Sequence, residues 1–461
     1  MINKGKIPTN IDAPVTPIDG RYRKKTKILS SYFSEFALVK YRMMIELKYL
    51  QKLSQYKIAP NLTKQEIFSI NQLIETFNEK DFSRVKEIES EINHDVKAVE
   101  YYLREKFSKI GLTKLFPFIH IGLTSEDVSN LAYGLIFNDA NSDVIIKELR
   151  TIIKILKEMA DCYKNYPMLG RTHGQPAVPT TFGKEIANYV YRLQKQYKRI
   201  SQFRFEGKLN GAVGAMNALE FVYPTVNWLK FSNDFITNLG LTANHFTSQI
   251  LPSDNLVEYF QILVIINGVM VNLCQDIWTY IMLEELKLKK NEKEVGSSTM
   301  PQKVNPIDFE NAEGNLQVAN SYFQLYQQKL LISRLQRDLS DSTVKRTFGT
   351  AIAHMILAWK SLQRGLGKID LNSLKTKENL ELHWEVLAEA IQVYLRSIND
   401  DKAYEKVKEL TRGRAITKEI YQQICEKLGL TKKDKRFKDL TPEKYIGLAK
   451  ELVDLIINSK F

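Results

Sequence analysis

Residues 254–290 read DNLVEYFQILVIINGVMVNLCQDIWTYIMLEELKLKK. No proline interrupts them, and none occurs between Pro252 and Pro301, so nothing in the run breaks a helix. As one helix from Asp254 to about Lys290, the segment is ~55 Å long at 1.5 Å per residue. Between Leu256 and Leu273 apolar residues fall on nearly every face, and a helix apolar all round must be enclosed on every side. A single chain with few long helices cannot cover it, so the sequence predicts a bundle completed by neighbouring subunits. Glu258, Gln261, Asn267 and Asn272 interrupt the apolar run. That argues against a membrane span, which needs roughly 20 mostly apolar residues.

Working outward, the chain is also free of proline between Pro306 and Pro442, which leaves room for further long helices. Tyr189, Leu193, Gln196, Tyr197, Ile200 and Phe203 recur at three- and four-residue spacing, the period of a helix. No period-two alternation runs through the chain, so the expected fold is all-α with no substantial sheet. Three regions follow: a smaller helical domain over residues 1–112, the long rods over 113–366, and shorter helices over 367–461, after the Gly365-Leu366-Gly367 break. There is no internal repeat and no low-complexity segment.

A chain of 461 residues with 44% hydrophobic and 26% charged content is that of a soluble, multi-domain globular protein. Cys162, Cys274 and Cys425 lie far apart and form no CxxC pair. That pattern argues against a zinc site or disulfide framework and fits a reducing cytoplasm. The opening residues MINKGKIPTNIDAPVTPIDGRY contain no apolar core of a secretory signal. The net charge of +13 raises nucleic acid as a partner. The lysines, however, are spread along the chain without aromatic interleaving, and a small polyanionic substrate suits the same charge.

Three polar segments can carry chemistry. Residues 296–306, GSSTMPQKVNP, cannot continue a preceding helix. Their hydroxyls, exposed amides and single lysine suit a carboxylate, although composition alone equally describes a plain surface loop. Residues 170–176, GRTHGQP, place His173 in a loop, where a side chain titrating near neutrality can serve as acid or base. Residues 120–130, HIGLTSEDVSN, put Thr124 and Ser125 before an acidic first turn, the pattern of a helix N-cap. The free backbone N–H groups of such a cap also attract a carboxylate.

In order and composition, GSSTMPQKVNP resembles the signature loop of the fumarase/aspartase superfamily, and the other two segments resemble its remaining motifs. That superfamily releases fumarate by anti elimination. Residues 17–22 (PIDGRY), 93–100 (NHDVKAVE), 124–127 (TSED) and 337–343 (RDLSDST) resemble the adenylosuccinate lyase branch specifically. Argininosuccinate lyases carry Arg-Asn-Asp in the third of these places, and fumarases Ser-Asn-Asp. Residues 384–389 (WEVLAE) and 404–406 (YEK) extend the likeness over almost the whole chain, nearest the longer bacterial subgroup. Two residues depart from it. Gln302 stands where this branch usually has histidine or tyrosine, and Asn311 where some members have arginine.

The resemblance implies an enzyme that releases fumarate from two succinylated purine nucleotides. It implies a cytoplasmic homotetramer with sites shared between subunits, without metal, organic cofactor, nucleic acid or membrane. His173 is then the general acid and Ser297 the base. Lys303 and Asn305, with Thr124, Ser125, Thr172 and Ser298, hold the succinyl group. Arg337, Ser342 and Arg346, joined by Arg21 and Tyr22, take the phosphate. Asn93, Gln249 and Asn311 are further substrate contacts, and His94 and Asp95 lie beside the leaving group. The competing readings are an argininosuccinate lyase and an inactive structural member of the superfamily. The joint presence of His173, Ser297 and Lys303 disfavours the second.

Overall fold

The computed structural model describes residues 13–289, 300 and 302–459. In chain order its principal elements are α1 (Glu35–Gln55), α2 (Asp95–Lys109), α3 (Ser125–Ala140), α4 (Ile146–Tyr163), β1 (Pro167–Thr172), β2 (Gln175–Thr181) and α5 (Phe182–Ser201). They continue with α6 (Asp254–Met282), β3 (Leu286–Leu288), α7 (Ile307–Leu330), α8 (Ser340–Lys345), α9 (Phe348–Leu366) and β4 (Ile369–Leu371), and shorter helices complete the chain. Helix dominates, as expected. Every sheet among the described residues has only two strands: β1 with β2, β3 with β4, and a two-residue parallel ladder, Glu206–Gly207 with Thr242–Ala243.

The helical spacing read in α5 corresponds to a buried face, since Tyr189, Leu193, Gln196, Tyr197 and Ile200 are all buried. The deciding segment is shorter than expected: α6 stops at Met282 rather than continuing to about Lys290. Glu284 adopts φ +62°. The Glu284 N–H donates to Ile281 O at 3.0 Å, and the Glu285 N–H to Tyr280 O at 2.9 Å. This pair of bonds is a Schellman end, with glutamate in the left-handed position that glycine usually fills. Beyond it, Leu286–Leu288 pairs antiparallel with Ile369–Leu371.

Nor is α6 enclosed on all sides within one chain. Glu258, Gln261, Ile265, Gly268, Gln275, Thr279 and Met282 form an exposed stripe, spaced by three or four residues except for one seven-residue step from Gly268 to Gln275. By length and composition α6 alone among the described helices could cross a membrane, but most of its apolar window is buried inside the protein, as in a core helix.

The chain forms two compact units, each built from three segments. The first comprises Met1–Glu148, Arg199–Asn267 and Asn315–Leu357. At its centre Phe137 meets the rings of Phe33, Phe260 and Phe348 at centroid distances of 5.3, 5.5 and 5.2 Å. Edge-on packing of this kind adds roughly 0.5–1.5 kcal/mol per pair to the burial itself. The second unit comprises Leu149–Lys198, Gly268–Gly314 and Ala358–Phe461. Its C-terminal core gathers Leu380, Trp384, Leu387, Ile391 and Leu395 with Ala403, Val407 and Tyr421, and takes in Leu169 from β1.

Candidate active site

In the second unit, β1 and β2 form a hairpin whose register pairs Thr172 with Gln175. His173 and Gly174 are its two-residue tip, with φ of +52° and +73°. Two left-handed residues in succession make the primed turn that matches strand twist. Histidine is among the few residues besides glycine that enter this region at all frequently. The expected loop is therefore the two-residue turn of a hairpin. Its register shifts between Leu169 and Arg171. There Gly170 lies so close to β2 that a Cβ would stand 2.4 Å from Val178 O. Thr172 and His173 are exposed, and His173 has no hydrogen-bond or ion-pair partner among the described residues.

The other expected residues of this unit belong to the signature segment or to the helix that follows it in sequence. Ser297 and Ser298 lie outside the described residues. The Lys303 N–H donates to Met300 O at 3.2 Å, and the Lys303 side chain is exposed. Asn305 is half-buried just before α7. Asn311, on α7, accepts a hydrogen bond from Ser361 Oγ at 2.8 Å.

The remaining expected residues belong to the first unit. Thr124 caps α3, and its N–H donates to Asp127 Oδ2 at 2.9 Å. Asp127 also accepts from the Asn210 N–H at 3.0 Å and the Gly211 N–H at 3.1 Å. Its ion-pair partner is Lys208 at 3.2 Å, and both side chains are fully buried. Burial pushes the Lys208 ammonium below the ordinary lysine range, with the Asp127 charge opposing it. Asn130 closes the arrangement: its Oδ1 accepts from the Lys208 N–H at 2.8 Å, and its Nδ2 donates to Lys208 O at 3.1 Å. The first turn of α3, with Thr124 and Ser125, is thus pinned to the 208–211 segment.

A second cluster carries positive charge. Arg337 stands 3.6 Å from Glu126 and donates to Gln249 Oε1 at 3.4 Å. Lys345 stands 3.4 Å from Glu126 and 2.7 Å from Asp341. Arg346 is exposed, 4.0 Å from Glu35. Ser342 lies on the same short helix, α8, and accepts at its carbonyl from the Arg346 N–H at 3.3 Å. Asp95 pairs with Arg42 at 2.8 Å. Burial opposes its charge, but the Arg42 guanidinium and the Val96 N–H hold the carboxyl below its ordinary range, with Arg346 adding to the effect.

Asn93 and His94 have local duties. Asn93 ends the preceding helix with φ +54°, and His94 Nδ1 caps α2 by accepting from the Lys97 N–H at 3.2 Å. Arg21 lies over the Tyr22 ring at 5.9 Å, and neither residue bonds to the cationic cluster. Sequence reasoning missed Glu126, Lys208 and Lys345. Glu126 lies within the TSED motif but reads there only as part of an acidic first turn, Lys208 and Lys345 fall in none of the quoted motifs, and each gains its meaning from a partner remote in sequence.

The sequence profile of the lyase family matches residues 20–319, and that of the adenylosuccinate lyase C-terminal region matches residues 333–446. The adenylosuccinate lyase of Haemophilus influenzae is 45% identical over 446 residues, covering 95% of this chain and 98% of the relative. That of Escherichia coli K12 is 44% identical over 445 residues, with coverage of 95% and 98%. Among solved structures, a fumarate lyase from Mesorhizobium sp. BNC1 superposes with a TM-score of 0.76 at 19% identity, over 95% of this chain and 98% of the other. The 3-carboxy-cis,cis-muconate lactonizing enzyme of Pseudomonas putida has the same TM-score at 20% identity, with coverage of 94% and 96%. At these identities the two structures speak for the fold alone.

Proposed function

The chain belongs to the adenylosuccinate lyases within the lyase family, and from that premise we propose that it eliminates fumarate from adenylosuccinate, giving AMP, and from the succinylated imidazole-carboxamide ribotide of purine synthesis. The observation that carries this reading is identity of 43–45% to adenylosuccinate lyases along nearly the full chain.

In the reaction a base removes a weakly acidic proton from the carbon beside a carboxylate, and electron density accumulates on that carboxylate. The C–N bond then breaks, and the departing nitrogen takes a proton. Ser297 is the base, activated when the site closes and water is excluded. His173 is the acid. Lys303 and Asn305 stabilise the charged intermediate, and Thr124, Ser125, Thr172 and Ser298 complete the succinyl pocket. The pinned N-terminus of α3 supports that assignment, because it presents backbone N–H groups with little freedom to rearrange. Arg337, Ser342 and Arg346 bind the phosphate with Arg21 and Tyr22. Asn93, Gln249 and Asn311 add contacts, and His94 and Asp95 lie beside the leaving group.

The purified protein is expected to release fumarate from both purine substrates, followed by ultraviolet absorbance, and to leave argininosuccinate intact. Comparable turnover of argininosuccinate would replace this reading with the sister activity and make Gln302 the decisive residue.

We further infer a cytoplasmic homotetramer whose four sites each draw on three chains. The support is local: an exposed histidine without a partner among the described residues at a hairpin tip, and an exposed stripe along the most apolar helix. Symmetric assembly can bring such loops together. Mixing inactive His173→Ala and Ser297→Ala subunits, with dissociation and reassembly, should then restore part of the activity, since some sites receive neither substitution. Verified hybrids that stay inactive would require both residues to come from one chain.

A further inference from the structure

Glu126 is 5% exposed, in the first turn of α3, and its two oxygens face two different cations. Oε1 accepts from Lys345 Nζ at 3.4 Å. Oε2 stands 3.6 Å from Arg337 Nη1, just beyond hydrogen-bond reach. The two cations are held differently. The Lys345 side chain is 11% exposed and also bonded to Asp341 at 2.7 Å, one helical turn away. Burial opposes its charge, but Glu126 and Asp341 together raise its proton affinity, so it remains a cation. Arg337 is 23% exposed, and its one hydrogen bond in the cluster is a long contact with the neutral Gln249. The buried lysine is locked, and the arginine is at the loose end of the same carboxylate.

A buried carboxylate must be compensated by a neighbouring cation. If Lys345 were absent, Arg337 would be the cation left within 4 Å of Glu126 among the described residues. An arginine–carboxylate pair tends to close into two parallel hydrogen bonds, and that fork is the geometry a phosphate needs.

We propose that Lys345 is a positioning residue for the nucleotide phosphate: by neutralising Glu126 it keeps the Arg337 guanidinium available to the ligand. The inference rests on the reading above, in which Arg337 meets the phosphate. Lys345 does not touch the ligand. It governs which anion Arg337 binds.

The test is AMP binding to the full-length protein by titration calorimetry, with thermal melts on the same samples. Lys345→Met should raise the Kd for AMP by at least ~10-fold, the scale of an unbalanced buried charge. Glu126→Gln alone should leave AMP binding equal or tighter. The decisive sample is the double variant, which should return to within about 3-fold of the unmodified protein, a coupling that independent damage at two sites does not produce. A lysine that merely ties α8 to α3 predicts the opposite, a double variant at least as weak as Lys345→Met. That result would overturn the inference. If Lys345→Met does not fold, Lys345→Gln keeps most of the length and a hydrogen-bond donor, and should show the same loss and the same rescue. Failure of the unmodified protein to bind AMP or to release fumarate from adenylosuccinate would instead remove the functional reading, and the inference with it.

Discussion

Replacing His173 by alanine should lower kcat by at least ~100-fold, as should replacing Ser297, because positioned acids and bases typically contribute that much. His173 gives an unusually clean test. It is exposed and bonds to no described residue, so its removal costs no packing and no hydrogen bond. Its backbone is the one complication, since φ of +52° disfavours alanine. His173→Asn is the matched control, because asparagine accepts the left-handed region and cannot supply the proton at neutral pH. The measurements are fumarate release at saturating adenylosuccinate and a thermal melt for each variant. If either His173 variant retains near-normal turnover while folded, the acid lies elsewhere. An active Ser297→Ala enzyme would likewise give the proton abstraction to another group.

The second large effect concerns stability. Lys208→Met leaves the fully buried Asp127 without the one cation that pairs with it among the described residues, and breaking one side of such a pair typically costs ~3–5 kcal/mol. Three backbone N–H groups still point at the carboxylate, from Thr124, Asn210 and Gly211, which places the expected loss toward the lower end of that range. It should appear as a lower urea midpoint with an unchanged slope. Combining Lys208→Met with Asp127→Asn should recover part of the loss, because the stranded charge is then gone. A midpoint equal to that of the unmodified protein would show that Asp127 needs no counter-charge there.

Much of the fold could be read from local pattern. The α5 stripe, the apolar α6 and the Thr124 cap are each specified by residues within a few turns of one another. The errors came where a distant partner decides. Leu286 and Leu288 alternate like a strand, but they continue a helical run, and only pairing with Ile369–Leu371 settles the matter. The α6 end was hidden for a related reason, since glutamate occupies the left-handed position where glycine would have announced a stop. His173-Gly174 does lie in a turn, as expected, but the strands on either side are not announced, because histidine stands where hairpins of this type usually show asparagine or aspartate.

The candidate site divides in the same way. Its reactive residues follow from ordered motifs, but their supports do not. Asp127 and Lys208 are separated by 81 positions in the chain. Lys345 is one lysine among many until the fold sets it against Glu126.

The hairpin that carries His173 is a cantilever, and Leu169 seats its fixed end among Trp384, Leu387 and their neighbours in the C-terminal core. A beam is only as stiff as its clamp. Warming that softens this core would let the tip wander by the ångström or so that spoils proton transfer, while the aromatic packing around Phe137 stays intact. Heat inactivation should therefore track the loosening of the last hundred residues, with catalysis failing before the chain as a whole unfolds.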